Sequence, residues 1–129
     1  MGEEKALCRL PESELDLMLT VWGRGGEASA PEIGEALGRP LTASALHSYL
    51  KRLEEKGFLS CRKEGKMNVY TALVTEEDYR GREGGAVLNK LYGGSLKTFA
   101  AALWDGGKLS RDEVSELQNY LEALTREGP

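Results

Sequence analysis

Thr42, Ser44, His47, Ser48, Lys51 and Arg52, followed by Arg62, Lys63 and Lys66, are the side chains whose types and spacing point to chemistry. Short hydroxyls, one imidazole and long cations donate and accept hydrogen bonds and neutralise negative charge. They do not make a catalytic set. The chain holds one histidine and two cysteines, Cys8 and Cys61. Neither cysteine has a partner at metal-ligand spacing, and nothing resembles a nucleophile, base and orienting acid. No catalytic residue, metal, cofactor or disulfide framework is therefore expected.

The charge distribution sharpens this. The 129-residue chain has a formal net charge of −4, which by itself argues against a polyanionic partner. From Arg39 to Lys66, however, seven basic residues stand against three acids, whereas from Thr75 to the end seven stand against ten. One basic segment in an acidic chain is a phosphate footprint that a net-charge rule would miss. Clusters of this size also occur on ordinary protein surfaces, so the elements that carry the residues must decide.

Leu15, Met18, Leu19 and Trp22 recur at helical spacing, giving a first amphipathic helix from Pro11 to Trp22 with that stripe in the core. Gly23, Gly25 and Gly26 end it. A second helix begins at Pro31, buries Ile33, Ala36 and Leu37, and stops at Gly38. Thr42 caps a third, which continues to Gly57 with Leu46, Tyr49, Leu50 and Leu53 as its apolar stripe. Its opposite face carries Ser44, His47, Ser48, Lys51 and Glu55, where a merely solvated face would mix Glu and Lys. Next come two β-prone runs, 58–62 and 67–74, joined by Lys63-Glu64-Gly65-Lys66: a hairpin with a charged tip. The order is that of a winged helix-turn-helix. Three more helices are expected, beginning at Thr75, Ser95 and Ser110, the last with a Ser110–Glu113 capping box. Val114, Leu117, Leu121 and Leu124 form a two-heptad seam. Leu88, Leu91 and Tyr92, with Phe99 and Leu103, supply further apolar surface. Three helices of this length bury little alone, so a second copy of the chain is the natural source of the missing burial.

At this point the sequence resembles the penicillinase-repressor family of BlaI/MecI/CopY-like winged-helix repressors over nearly its whole length. The residues that carry the resemblance are 10–15 (LPESEL) and Val21-Trp22, 30–33 (APEI), 49–57 (YLKRLEEKG), and Val69-Tyr70. Beyond them, 91–96 (LYGGSL) and 108–110 (KLS) recur in order. The resemblance implies a homodimer that binds a palindromic operator in double-stranded DNA and represses resistance or homeostasis genes. His47 stands where relatives often carry a longer polar residue, so their operator preference does not carry over. The Asn-Phe cleavage pair of the β-lactamase branch falls at Ala102-Leu103 and does not match. The Cys-x-Cys pairs of the copper branch are missing, since no cysteine follows Cys61. The inducer or inactivating protease is thus left open.

The expectation is a mainly α chain with a small β-hairpin. Residues 1–74 would form a winged-helix DNA-binding domain and 75–129 a helical dimerisation segment. Ser44, His47 and Ser48, on the third helix, would lie against base edges in the major groove. Lys51, Arg52 and the wing cations Arg62, Lys63 and Lys66 would meet phosphates. The plainer reading of His47 is a solvated helix residue. The competing function is a winged helix that binds protein without touching DNA, and the net negative charge favours it. The acidic start lacks the pattern of a signal peptide, and no stretch approaches the ~18 apolar residues of a membrane span. A cytoplasmic location is the expectation. Gly81, Gly84 and Gly85 interrupt the fourth helix and are read either as close packing or as a soft joint.

Overall fold

A computed structural model describes residues 9–38 and 40–127. Cys8 and Arg39, which entered the reading above, lie outside them. In chain order the elements are α1 (Glu12–Gly23), β1 (Glu27–Ser29), α2 (Ala30–Ala36), α3 (Ala43–Glu55), β2 (Leu59–Glu64), β3 (Met67–Ala72), α4 (Glu76–Tyr92), α5 (Leu96–Asp105) and α6 (Arg111–Glu127). The fold is a winged helix followed by helices. The chain packs as two units that divide between Gly84 and Gly85.

In the first unit, α1, α2 and α3 pack on one another and on a three-stranded antiparallel sheet of order β1-β3-β2. Leu17, Met18 and Val21 of α1, Ile33 of α2, Leu50 and Leu53 of α3, with Phe58, Leu59 and Tyr70, make the core. Each large apolar side chain fully buried there contributes about 1.5–3 kcal/mol. The buried face of α1 differs from the expected stripe. Leu19 is 46% exposed, Leu15 and Trp22 pack at the core's edge, and the acidic Glu14 is buried. Periodicity counts an acid as surface, so the expected stripe is rotated by part of a turn from the face that Glu14, Leu17, Met18 and Val21 bury. Ala36, expected in the core, is exposed because only Ile33 of α2 points fully inward.

The hairpin is a sheet because of β1, which sequence patterning did not show. Three residues pair with β3 as Glu27↔Thr71, Ala28↔Tyr70 and Ser29↔Val69. Ser29 ends this strand and caps α2. Its hydroxyl accepts from the Glu32 amide at 3.3 Å while its own amide donates to the Glu32 carboxylate at 2.9 Å.

The unit runs on past Val74 because Tyr79, in the first half of α4, belongs to the core. Its phenol oxygen accepts from the Leu10 amide at 2.9 Å, and its ring lies 5.8 Å from those of Trp22 and Phe58. The Trp22 indole in turn donates to the Val74 carbonyl at 2.9 Å.

The second unit holds the rest of α4 with α5 and α6. At the junction after Tyr92, Gly93 and Gly94 both take positive φ (60° and 80°), which L side chains rarely adopt. The Gly94 amide donates back to the Leu88 carbonyl at 3.0 Å, and the turn sets the Tyr92 and Phe99 rings 4.9 Å apart. The Ser110–Glu113 capping box is present in both directions. Not one of residues 85–126 is buried. Among the described residues no helix is long and apolar enough to cross a membrane.

Candidate nucleic-acid interface

Helix α3 is started by Thr42, whose hydroxyl accepts from the Ala45 amide at 3.0 Å. That bond commits the Thr42 oxygen to the helix end. Leu50 and Leu53 fix the inner side of α3, with Leu46 and Tyr49 at the core's edge. The outer side follows from 3.6-residue periodicity: Ser44, His47, Ser48 and Lys51 fall on it and all are exposed. The structure thus brings these four together on one face.

Arg52 of α3 and Lys56, which caps its C-terminal end, have a different setting. Glu14, on α1, is 2% exposed, and the Lys56 ammonium donates to its carboxylate at 2.5 Å. Arg52 stands 3.9 Å from the second Glu14 oxygen, and its guanidinium carbon lies 5.8 Å from the centre of the Tyr49 ring. A buried carboxylate needs such partners. Arg52 is therefore placed beside Glu14 and Tyr49 rather than among the four outward residues.

In the wing, β2 and β3 pair from Leu59↔Ala72 to Glu64↔Met67. The turn is Gly65-Lys66 alone, shorter than the four-residue tip expected from sequence. Gly65 takes φ +63° in the first turn position, where a two-residue hairpin of this hand needs glycine. Arg62 and Lys63 are consequently strand residues, and strand neighbours point to opposite faces. Lys63 shares a face with Cys61 and with Leu59, which packs into the core beside α3. Arg62 is on the other face, with Glu27, Glu64 and Thr71. It donates to Glu27 at 2.6 Å and Thr71 at 3.3 Å through one terminal nitrogen. Through the other, and through Nε, it reaches Glu64 at 2.7 and 3.0 Å. The Arg62 hydrogen bond, with a smaller one from Thr71, holds the Glu27 carboxyl below its ordinary range, and Glu27 raises Arg62 in return. Among the described residues Lys51, Lys63 and Lys66 make no ion pair. Cys61 is an exposed free thiol opposite Tyr70, whose phenol burial pushes up to about 12.

Of the apolar residues expected to hold two copies together, Leu91, Leu117, Leu121 and Leu124 are exposed. Leu88, Tyr92, Phe99, Leu103 and Val114 are half-buried. Leu96, in the same helical stripe as Phe99 and Leu103, is exposed, as are Trp104 and Tyr120, which sequence patterning did not mark; Tyr120, at 61%, lies in register with Leu117 and Leu124. A heptad template that accepts only aliphatic residues passes over Tyr120 and Trp104.

Against known families, the penicillinase-repressor model matches residues 10–123. The chain belongs to the penicillinase-repressor family. The penicillinase repressor of Bacillus licheniformis is 30% identical over 120 residues, which span 92% of this chain and 93% of the relative. The methicillin resistance regulatory protein MecI of Mammaliicoccus sciuri is 29% identical over 114 residues, 87% of this chain and 92% of that one. Among solved structures, AbfR of Staphylococcus epidermidis is 24% identical at a TM-score of 0.46, covering 91% of this chain and 75% of its own. The family match spans both units, so the helices after the wing are part of the penicillinase-repressor pattern.

Proposed function

We propose that the chain is a dimeric, sequence-specific DNA-binding repressor, with α3 entering the major groove of each half of a palindromic operator. One observation carries this reading: Ser44, His47, Ser48 and Lys51 share the outer face of a capped, core-anchored helix, and all four are exposed among the described residues. Ser44, His47 and Ser48 are short enough to meet base edges. Lys51, Lys63 and Lys66 supply phosphate contacts. Family membership supports the assignment, since the relatives are named as repressors and regulators of resistance.

Dimerisation is supported by the second unit. Leu91 is 69% exposed, and Leu117, Tyr120, Leu121 and Leu124 lie exposed along one side of α6. A second copy covering this surface would set two α3 helices on one duplex.

Footprinting on the DNA upstream of the protein's own gene, followed by anisotropy titrations across a range of salt, tests the function. A protected, two-fold symmetric site and a steep loss of affinity with salt are expected. His47→Ala should cut discrimination between operator and random DNA by about 1–3 kcal/mol. Absence of salt-dependent binding would point to a winged helix that binds protein instead.

A further inference from the structure

The basic segment that suggested a phosphate footprint does not behave as one group. Arg62 has all three guanidinium nitrogens engaged, by Glu27 from β1, Thr71 from β3 and Glu64 from its own strand. Glu27 and Thr71 are also joined, the threonine hydroxyl donating at 3.2 Å, and they sit directly opposite each other in the strand register. The network therefore crosses every strand of the sheet. An isolated exposed ion pair would hold little. Here one guanidinium bridges two carboxylates in the planar, forked geometry that suits arginine and that a lysine could not reproduce.

The wing needs such a tie. Residues 60–67 are all exposed, and β1, which flanks β3, is only three residues long. Hydrophobic burial holds the hairpin through Leu59, Tyr70 and, opposite Arg62, Val69, and leaves residues 60–67 exposed. On the opposite face at the same level, Lys63 stands without an ion-pair partner, and Lys66 occupies the turn.

We propose that Arg62 is a positioning residue: with Glu27 and Glu64 it holds the wing in place, while Lys63 and Lys66 are the cations that meet phosphate. This rests on the DNA-binding reading, and its consequences for salt dependence separate it from a direct phosphate role. A cation that displaces counterions contributes about 0.9 to the slope of log affinity against log salt. A cation already neutralised by two carboxylates displaces none.

The test uses the full-length protein and a fluorescein-labelled random-sequence duplex, because the phosphate component does not depend on sequence. Lys63→Ala should lower the slope by about 0.9 per bound protomer. Arg62→Gln and Glu27→Gln should each weaken binding several-fold with the slope unchanged. The double variant should be no worse than either single one, as expected for residues acting as one unit. If Arg62 were instead a phosphate ligand restrained by an acid, Arg62→Gln would lower the slope as Lys63→Ala does. Glu27→Gln would then tighten binding, the opposite sign, and that pair of results overturns the proposal. Amide exchange in the free protein gives a readout that needs no DNA. Residues 60–68 should exchange faster in Glu27→Gln and Arg62→Gln and not in Lys63→Ala. Unchanged exchange in both of the first two variants would also overturn it. If the wild-type protein binds no duplex while exchange responds as stated, the DNA reading fails and the tie stands.

Discussion

The Lys56 ammonium, on the residue that caps the C-terminal end of α3, donates to the carboxylate of Glu14 in the first turn of α1, where Glu14 is 2% exposed. Two helices that otherwise meet through apolar side chains thereby share a charged contact, with Arg52 as a second cation 3.9 Å from the other Glu14 oxygen. Hydrophobic packing is non-directional and tolerates a helix rotating or sliding by a fraction of a turn. A salt bridge with one partner buried does not. The pair pins the C-terminal end of α3 against α1, beside the Leu50 and Leu53 packing that turns the polar side outward.

Removing Lys56 takes away the hydrogen-bonding cation of the buried Glu14 carboxylate and leaves it only Arg52, at 3.9 Å. Lys56→Ala should lower unfolding free energy by about 3 kcal/mol, toward the lower end for buried pairs because the lysine is partly exposed. Adding Glu14→Leu should recover most of that loss. Urea titrations on both variants check this, and a Lys56→Ala protein as stable as the wild type would show that the contact contributes nothing.

How much of this was legible in the sequence differs from element to element. Helix α3 was readable almost whole, because Thr42 as a cap, the Leu46, Tyr49, Leu50 and Leu53 stripe and the polar outer face are local signals that agree. Glu14, Glu27 and Tyr79 were not. Each owes its position to a residue far along the chain: Lys56, Arg62 and Leu10 respectively. An acid on a buried helix face reads as a surface residue until its cation is known. A three-residue strand such as β1 has too few positions to show alternation. Arg62 and Lys63 are adjacent basic residues in the sequence, and only the register, Arg62↔Val69 and Lys63↔Asn68, reveals that they serve opposite faces.

The burial of Tyr79 changes where the chain can be cut. A fragment ending at Val74 loses the phenol that accepts from the Leu10 amide and the ring against Trp22 and Phe58. One ending at Gly84 keeps them. The longer fragment should be more stable by about 3 kcal/mol, the scale of emptying an aromatic site in a core. Both should sediment as monomers, and both should bind operator far more weakly than the full chain. Losing the second half-site forfeits an effective-concentration gain on the order of 10²–10⁴. Equal melting temperatures for the two fragments would remove Tyr79 from the core's structural role. A dimeric 1–84 fragment at micromolar concentration would remove the second unit from dimerisation.

Glu27 gives the wing a defined pH response. Its carboxyl is held below the ordinary range chiefly by the Arg62 hydrogen bond, so folding favours the ionised form. The sign follows from linkage: a lowered folded-state value adds stability above the unfolded value, and that addition is lost as pH falls through the folded one. The melting-temperature difference between wild type and Glu27→Gln should stay constant from neutral pH down to the ordinary carboxylate value of 4.5 and shrink below it. A difference that grows on acidification would contradict the pairing.

The three glycines of α4 allow a sharper test than the sequence did. Gly81, Gly84 and Gly85 lie within the helix, all are exposed, and among the described residues a Cβ built on any of them would meet no atom within 4 Å beyond its own stretch of helix. Close packing among the described residues therefore does not explain them. The division between the two units also falls between Gly84 and Gly85. Glycine costs about 1 kcal/mol relative to alanine in a helix interior, so this stretch forgoes roughly 3 kcal/mol of helix stability. A soft joint would let two recognition helices settle on half-sites about 34–36 Å apart. In the free protein, amides 80–86 should exchange faster than 88–92, and operator binding should slow them. Replacing all three glycines by alanine should preserve the fold, raise the melting temperature and slow exchange in this stretch. Operator affinity should then change in whichever direction the stiffened geometry fits the half-sites. The joint is excluded if the free dimer already protects these amides strongly and the alanine protein is severely destabilised. That pair of results would mean that the partner copy packs against bare helix backbone here and needs the glycines for close approach.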